Sequence, residues 1–154
     1  MRILVVSDSH RDYFSLRKVV MSQSQAEIIF HLGDGENDVE TLKLEFPHKH
    51  IIAVRGNCDY PSTFNISEVF TVEGIKIFAT HGHEYYVKSG YEEVINEGKK
   101  QNANIVLFGH THLPYENYID EMYILNPGSV KGYKGTYATI DITKQGIVTN
   151  IITL

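Results

Sequence analysis

Ile3-Leu4-Val5-Val6-Ser7-Asp8-Ser9-His10 is an aliphatic run that ends in a carboxylate and an imidazole. The aliphatic part predicts a strand buried on both faces, as in a parallel sheet. Asp8 and His10 are two residues apart, so an extended chain places both side chains on one side. Asp12 then begins a predicted amphipathic helix that ends at about Gln23. The apolar face expected for this helix consists of Phe14, Leu16, Val19 and Val20.

Two more strands end in polar residues in the same way. A strand predicted over Glu27–Leu32 ends at Gly33-Asp34-Gly35, and a helix follows over roughly Glu36–Glu45, with Val39, Leu42 and Leu44 as its apolar residues. A third strand, His50–Arg55, ends at Gly56-Asn57-Cys58-Asp59. Short strand–helix–strand units imply parallel strands, and ligands bind at the carboxyl ends of such strands. One edge of one sheet should therefore collect Asp8, His10, Asp34 and Asn57.

The pattern changes after Pro61. Two strand-like runs, 68–72 and 76–80, flank Glu73-Gly74-Ile75, which is a hairpin signature. The second run leads into His81-Gly82-His83, and a helix is expected over about Gly90–Asn102, with Tyr91, Val94 and Ile95 on one side. We interpret the change as a second sheet packed on the first, within a single domain that comprises residues 1–154.

The last predicted strands frame a second histidine motif. The apolar run Asn104–Phe108 ends at Gly109-His110-Thr111-His112, where two imidazoles share a face of an extended chain. Further strands are expected over Met122–Leu125, Thr136–Ile142 and Ile147–Leu154. Imidazole is the commonest ligand for transition metals in proteins, so the paired histidines indicate a metal site.

Composition narrows the function classes. The net charge is −5 without a basic block, which argues against duplex nucleic acid or an anionic membrane as the main partner. The apolar run at the start is too short for a signal peptide or a membrane span. One cysteine allows no internal disulfide and fits a reducing compartment. We expect a cytoplasmic protein.

The chemistry-bearing residues form a set of oxygen and nitrogen donors. Such a mixture suits Mn²⁺, Fe²⁺, Ni²⁺ or Zn²⁺ better than Ca²⁺ or a closed thiolate zinc site. Seven donors are too many for one tetrahedral ion, but they suit two ions that share a carboxylate, roughly 3.5–4 Å apart. The set consists of Asp8, His10, Asp34, Asn57, His81, His110 and His112.

Each donor also has a purely structural explanation. A single Asp at a strand end often caps a helix, and a lone His after a strand is more often a hydrogen-bonded loop residue. Recurrence at one strand end after another favours a common site. His31 lies inside a strand and is expected in the core or behind the site, whereas His48 and His50 are expected at the surface.

The order of the motifs resembles the calcineurin-like metallophosphoesterase superfamily. The matching motifs are Asp8-x-His10, Gly33-Asp34, Gly56-Asn57, His81 and Gly109-His110-x-His112. The longer forms Gly56-Asn57-Cys58-Asp59, Thr80-His81-Gly82-His83 and Asn126-Pro127-Gly128-Ser129 resemble its compact bacterial and archaeal phosphodiesterase branch, of the YfcE/MJ type. The resemblance extends from Met1 to about Ser129. It implies an α/β fold, a four-layer α-β-β-α sandwich of two mixed sheets with a metal site at the carboxyl ends of the strands.

The resemblance also implies a division of the ligands. The first ion is expected on Asp8, His10 and His112, the second on Asn57, His81 and His110, with Asp34 between them. Mn²⁺ is the first expectation, with Ni²⁺, Zn²⁺ or Fe²⁺ as alternatives. The expected reaction is hydrolysis of a small phosphodiester by in-line attack of a hydroxide that bridges the two ions.

One position departs from many members of the superfamily. They have His after the motif Asn and use it on the leaving group or the phosphate, whereas this chain has Cys58. A thiol with an ordinary pKa of about 8.5 replaces imidazole poorly, so esters with good leaving groups should be favoured. His83 is the alternative acid. The candidate catalytic residues are thus Asp34, Asn57, Cys58 and His83.

A second class of function is a non-catalytic scaffold. A retromer subunit has a similar fold and acts through protein contacts, and such scaffolds tend to lose histidines of the metal site. All seven donor positions are kept here, which favours an enzyme. We expect a small-molecule phosphoester as the partner, with no stable nucleic acid complex and no membrane. A homodimer is the default assembly.

Overall fold

The computed structural model describes residues 1–154 and contains two mixed five-stranded sheets. A short 3₁₀ turn at His83–Tyr85 follows the fifth strand. In chain order the other elements are β1 (Arg2–Val6), α1 (Tyr13–Ser22), β2 (Ile28–His31), α2 (Glu36–Glu45), β3 (His50–Ala53), β4 (Ser67–Val72), β5 (Ile75–Thr80), α3 (Glu92–Lys100), β6 (Ile105–Leu107), β7 (Tyr115–Ile119), β8 (Met122–Asn126), β9 (Thr136–Thr143) and β10 (Gly146–Thr153).

The first sheet has the order β10-β9-β1-β2-β3. Its strands β1, β2 and β3 are parallel, as predicted, and α1 and α2 connect them. β3 leads to β4 without an intervening helix, so only two strand–helix units occur. The C-terminal hairpin of β9 and β10 returns to this sheet, where β9 pairs antiparallel with β1.

The two helices cover the outer face of this sheet. Apolar side chains of the strands and the helices form one cluster there, which includes Leu4, Val6, Leu16 and Leu42. The predicted apolar faces are wrong at two positions, because Phe14 is 79% exposed and Leu44 is 84% exposed. Each lies two residues from a buried leucine, which is about 200° around a helix at 3.6 residues per turn. Their side chains consequently point to solvent.

The second sheet has the order β4-β5-β6-β8-β7. The predicted hairpin is confirmed, but its loop is only Glu73-Gly74, since Val72 already pairs with Ile75. Both loop residues have positive φ (49° and 78°), as a type I′ turn requires. The sequence-based prediction missed β7. This edge strand is largely exposed and carries no alternating apolar pattern.

Three apolar clusters define four layers. The largest lies between the two sheets and includes Ile3, Phe30, Ile77 and Leu107. A third cluster, with Val94 and Phe108, joins α3 to the outer face of the second sheet. The predicted four-layer α-β-β-α sandwich is confirmed. None of the helices combines the length and the hydropathy needed to cross a membrane.

Candidate metal centre

The loops that follow β1, β2, β3, β5 and β6 meet at one end of the sandwich and carry the seven predicted donors. Asp8, Asp34 and His81 are buried, and His10 and His110 are partly exposed. Asn57 and His112 face solvent. The site is therefore a depression with a buried carboxylate floor and an open mouth.

One group of donors contains Asp8, His10 and His112, whose ligand atoms all lie within 4.8 Å of one another. His112 Nε2 is 3.2 Å from Asp8 Oδ1, and His10 Nε2 is 3.7 Å from the same oxygen. The two Nε2 atoms are 3.2 Å apart. This is the set that the resemblance implies for the first ion.

A second group contains Asp34, His81 and His110. His81 Nε2 lies 3.4 Å from Asp34 Oδ2, 3.1 Å from His110 Nδ1 and 3.1 Å from Asn57 Oδ1. Asp34 Oδ2 is also 3.8 Å from His10 Nε2, so Asp34 lies between the two groups. The arrangement has the partition that the resemblance implies. The assignment of these residues as metal ligands remains a prediction.

The hydrogen bonding shows that these donors suit cations. His81 Nδ1 lies 2.6 Å from the carbonyl oxygen of Leu32, an acceptor, so Nδ1 carries the proton and Nε2 presents a lone pair. That lone pair faces the carboxylate of Asp34. Asp8 Oδ1 is buried without any hydrogen-bond partner. Converging lone pairs and an orphaned carboxylate oxygen are unfavourable unless a cation lies among them.

The two carboxylates stay ionised. Burial alone would raise the pKa of Asp8, but the neighbouring imidazoles of His112 and His81 hold that pKa below its usual value. The pKa of Asp34 is likewise lowered: burial opposes the shift, while His81 and the backbone N–H of Cys58 cause it. Both carboxylates can therefore bind a cation without first losing a proton.

The imidazoles differ in charge preference. Burial, together with the neighbouring His81 and Lys88, lowers the pKa of His110 to about 4, so this ring is neutral at physiological pH. Burial lowers the pKa of His81, but the nearby carboxylates of Asp34 and Asp8 produce a net rise. The adjacent carboxylate of Asp8 raises the pKa of His112.

Five of the seven predicted donors have left-handed backbone conformations. The φ values are 54° at Asp8, 45° at His10, 58° at Asp34, 68° at His110 and 59° at His112. Such conformations cost about 1–3 kcal/mol each in residues other than glycine and concentrate at functional sites. The backbone is thus held in an unfavourable shape in order to direct these side chains inward.

Two motif glycines are required by close approach. A Cβ at Gly56 would collide with the carboxylate of Asp34, and a Cβ at Gly109 would collide with the hydroxyl of Ser7. Glycine at these positions lets one loop pack directly on the carboxylate that another loop presents.

Asp59 organises the loops after β2 and β3. Its carboxylate accepts hydrogen bonds from the backbone N–H groups of Asp34, Gly35, Glu36 and Gly56, at 2.7–3.0 Å. These bonds satisfy the otherwise uncapped start of α2 from another part of the chain. Asp59 therefore orients the backbone of its neighbours, with all four of these bonds made to its two carboxylate oxygens.

Asn126, the last residue of β8, and Ser129, in the loop that follows, support the site. The amide of Asn126 donates to the carbonyl oxygen of Gly109 and to Thr111 Oγ1, both at 3.0 Å. Ser129 Oγ donates to the carbonyl oxygen of Asp8 at 2.8 Å. The polar turn in the sequence was the only signal for these contacts.

Cys58 and His83, the two remaining candidate catalytic residues, lie at the edge of the site. The backbone N–H of Cys58 donates to Asp34 Oδ1 at 2.8 Å, and its exposed thiol lies beside Asn57. Burial and the charge of Asp34 raise the pKa of this thiol, so it stays protonated. The His83 ring centre is 5.4 Å from that of His81 and 6.1 Å from that of His110.

The other histidines are where they were expected. His31 is buried behind the site, with an exposed fraction of 1%, and burial lowers its pKa. His48 and His50 are exposed.

A sequence profile of the calcineurin-like phosphoesterase superfamily domain matches residues 1–145. The chain belongs to this superfamily. Phosphodiesterase YfcE of Escherichia coli K12 is 32% identical in an alignment that covers 88% of this chain and 82% of YfcE. The expected branch is thereby confirmed.

Solved structures with this fold include a predicted phosphoesterase and Vps29. A predicted phosphoesterase from Streptococcus pneumoniae TIGR4 superposes with a TM-score of 0.85 at 27% identity, covering 99% of this chain and 88% of that one. Vps29 from Entamoeba histolytica, solved with Zn²⁺, has a TM-score of 0.74 at 17% identity, covering 99% of each chain. At this identity, the likeness to Vps29 concerns the fold alone.

Proposed function

We propose that this member of the superfamily is a phosphodiesterase that hydrolyses small phosphodiesters with two divalent ions, Mn²⁺ first among them. The observation that carries the proposal is the convergence of two donor groups on either side of Asp34, with Asp8 Oδ1 buried and unpaired. Bound ions would lower the pKa of a water molecule for in-line attack and neutralise the phosphate.

The side chains of the site have separate tasks in this proposal. Asp8, His10 and His112 hold one ion, and Asn57, His81 and His110 hold the other, with Asp34 shared. The N–H of Cys58 fixes Asp34 Oδ1, which leaves Oδ2 directed at the imidazoles. His83 lies close enough to the second group to deliver a proton to the leaving group.

The cavity beside the site supports a small substrate. It has a volume of about 430 Å³ and extends from His10, Asp34 and Cys58 toward Glu36 and Tyr60. Pockets of this size accommodate small molecules. The lining is mostly polar and contains several carboxylates, which disfavours a polyanion such as nucleic acid.

The alternative is a non-catalytic scaffold like Vps29, and the shared fold is the only support for it. A scaffold has no need for five donors in left-handed conformations or for an unpaired buried carboxylate oxygen. We therefore favour the enzyme. A cytoplasmic location and a homodimeric state remain predictions.

The test is hydrolysis of bis(p-nitrophenyl) phosphate by metal-stripped protein to which Mn²⁺, Ni²⁺, Zn²⁺ or Fe²⁺ is added back. We expect turnover that depends on the added metal and is lost in Asp34→Asn. A folded protein with no metal-dependent turnover in any of the four metals would refute the enzyme and favour the scaffold. If metal-dependent turnover is found, a panel of natural phosphodiesters would identify the substrate.

A further inference from the structure

His31, Ser9 and Asp38 form a buried hydrogen-bonded chain behind the loop after β1. Ser9 is 0% exposed, His31 1% and Asp38 5%. Ser9 Oγ lies 3.1 Å from His31 Nε2 and 2.5 Å from Asp38 Oδ2. None of the three is among the seven metal donors. Burying three polar side chains is unfavourable unless their bonding is nearly complete, so the chain needs a reason.

The direction of the bonds rules out a nucleophilic serine. The N–H of Gly33 donates to His31 Nδ1 at 3.3 Å, so the ring proton sits on Nε2 and is donated to Ser9 Oγ. The hydroxyl of Ser9 then donates to Asp38. A serine nucleophile needs a histidine that accepts its proton, which is the opposite order. The complete burial of Ser9 also keeps any substrate away from it.

The chain is bonded instead to the backbone of the loop. Asp38 Oδ2 accepts a second hydrogen bond from the backbone N–H of Arg11, at 3.0 Å. Within this loop Asp8, His10 and Arg11 all have positive φ, at 54°, 45° and 67°. Three left-handed residues within four positions are costly, and the loop needs specific bonds to keep them.

We propose that His31, Ser9 and Asp38 act together as a positioning relay for the Asp8–Arg11 loop. β2 supplies His31 and α2 supplies Asp38, so the relay fixes the loop to one strand of the first sheet and to a helix that packs on that sheet. Its effect is to keep Asp8 and His10 directed at the first ion. The consequence for the ion rests on the proposed function, whereas the holding of the loop does not.

Asp38 allows a sharp test, because one oxygen atom accepts both bonds. Asp38→Asn keeps an acceptor oxygen for Ser9 and Arg11 and removes the charge, whereas Asp38→Ala removes the acceptor. Ser9→Ala removes the centre of the relay. Ser15→Ala is the matched control, since Ser15 is also buried and bonds only to Asp12.

The first readout is hydrogen exchange of the Arg11 amide in metal-free protein. We expect exchange at least about 10-fold faster in Asp38→Ala and near the wild-type rate in Asp38→Asn and Ser15→Ala, because only the first variant removes the acceptor. Equal exchange in Asp38→Ala and wild type would overturn the relay. Equally fast exchange in Asp38→Ala and Asp38→Asn would also overturn it, because charge and not position would then matter.

The second readout is Mn²⁺ titration by calorimetry. Ser9→Ala and Asp38→Ala should lower the affinity for one of the two ions by about 10–100-fold, because loss of supporting hydrogen bonds around a metal typically has an effect of this size. In these two variants the affinity for the other ion should stay within about threefold of wild type. In Ser15→Ala and Asp38→Asn the affinities for both ions should stay within about threefold of wild type, because the supporting bonds are kept. Equal weakening of both ions would mean a general loss of structure and would overturn the inference. A wild-type protein that binds no metal would refute the proposed function. Hydrogen exchange of the Arg11 amide would still show whether the relay holds the loop.

Discussion

His81 Nδ1 lies 2.6 Å from the carbonyl oxygen of Leu32. This bond joins the end of β5 in the second sheet to the end of β2 in the first. It also fixes the proton on Nδ1 and thereby leaves Nε2 free for a metal. A single side chain thus connects the packing of the two sheets with the chemistry of the site.

Two substitutions should separate these roles of His81. The amide nitrogen of Asn falls near the position of Nδ1, so His81→Asn can still donate to Leu32 but loses Nε2. We expect a loss of free energy of unfolding below about 1 kcal/mol with activity at least about 100-fold lower. His81→Ala removes both groups and should lose about 2–4 kcal/mol. Urea denaturation and metal-dependent turnover measure the two effects. An active His81→Asn variant would remove His81 from the ligands.

The two imidazoles of Gly109-His110-Thr111-His112 should serve different ions. His110→Ala and His112→Ala are each expected to reduce tightly bound metal from two equivalents to about one, and to abolish turnover with the fold kept. Elemental analysis after dialysis gives the stoichiometry, and circular dichroism monitors the fold. Near-wild-type activity in either variant would disprove the two-ion assignment.

His83 should matter most for esters with poor leaving groups. Its Nδ1 is buried and unpartnered. Burial together with the charge of His81 lowers its pKa, so the protonated ring that an acid role requires is the minor form at neutral pH. If His83 protonates the leaving group, His83→Ala should slow alkyl esters by about 100-fold or more and aryl esters much less. The measurement is kcat across a series of leaving-group pKa values, with His48→Ala as a surface control. Equal rates on a poor-leaving-group ester would remove His83 from the reaction.

The sequence predicted the strand ends and the seven donors because both follow from short-range patterns. An apolar run followed by Asp-x-His or Gly-His-x-His is visible without any tertiary information. Asp59 illustrates what such patterns miss. Its four backbone partners lie on two loops whose approach depends on the pairing of β2 with β3. The predictions for Phe14 and Leu44 were wrong for a related reason, since composition alone does not show which side of a short helix meets the sheet.

The ion pair of Arg2 and Asp141 should give a small, pH-dependent contribution to stability. The two side chains are opposite each other on β1 and β9, with a 2.9 Å contact, and the hydrogen bond from Arg2 lowers the pKa of Asp141. A carboxylate with a lowered folded-state pKa stabilises above its unfolded pKa of about 3.9, and this contribution is lost as the pH falls through the folded-state value.

For this partly exposed pair, Asp141→Asn should cost about 0.2–1 kcal/mol at pH 7. The difference from wild type should shrink as the pH is lowered from 7 toward 2, because Asp141 becomes protonated as the pH falls through its lowered folded-state pKa. Thermal unfolding at the two pH values checks it, with Glu27→Gln as a control at an exposed carboxylate that makes no ion pair. A difference that persists unchanged at low pH would mean that the charge of Asp141 is not responsible.

Asp59 should control both the stability and the geometry of the site. Its two oxygens each accept two backbone N–H groups, Oδ2 from Asp34 and Gly56, and Oδ1 from Gly35 and Glu36. Asp59→Ala leaves all four without this acceptor and should lower the free energy of unfolding by about 2–4 kcal/mol. Asp59→Asn keeps one acceptor oxygen and should lose roughly half as much.

Asp59→Ala and Asp59→Asn should lower kcat by a larger factor than they change KM, because Asp34 and Asn57 are displaced while the substrate cavity remains. Urea denaturation and steady-state kinetics on bis(p-nitrophenyl) phosphate measure the two effects on the same samples. Glu45→Gln is the control, because Glu45 is a surface carboxylate on α2 that bonds to Tyr13 and Arg17, away from the site. If Asp59→Ala were as stable and active as Glu45→Gln, the four bonds would have no role in holding the two loops. If Asp59→Asn were inactive but fully stable, the carboxylate would act on the reaction through its charge and not through its bonds.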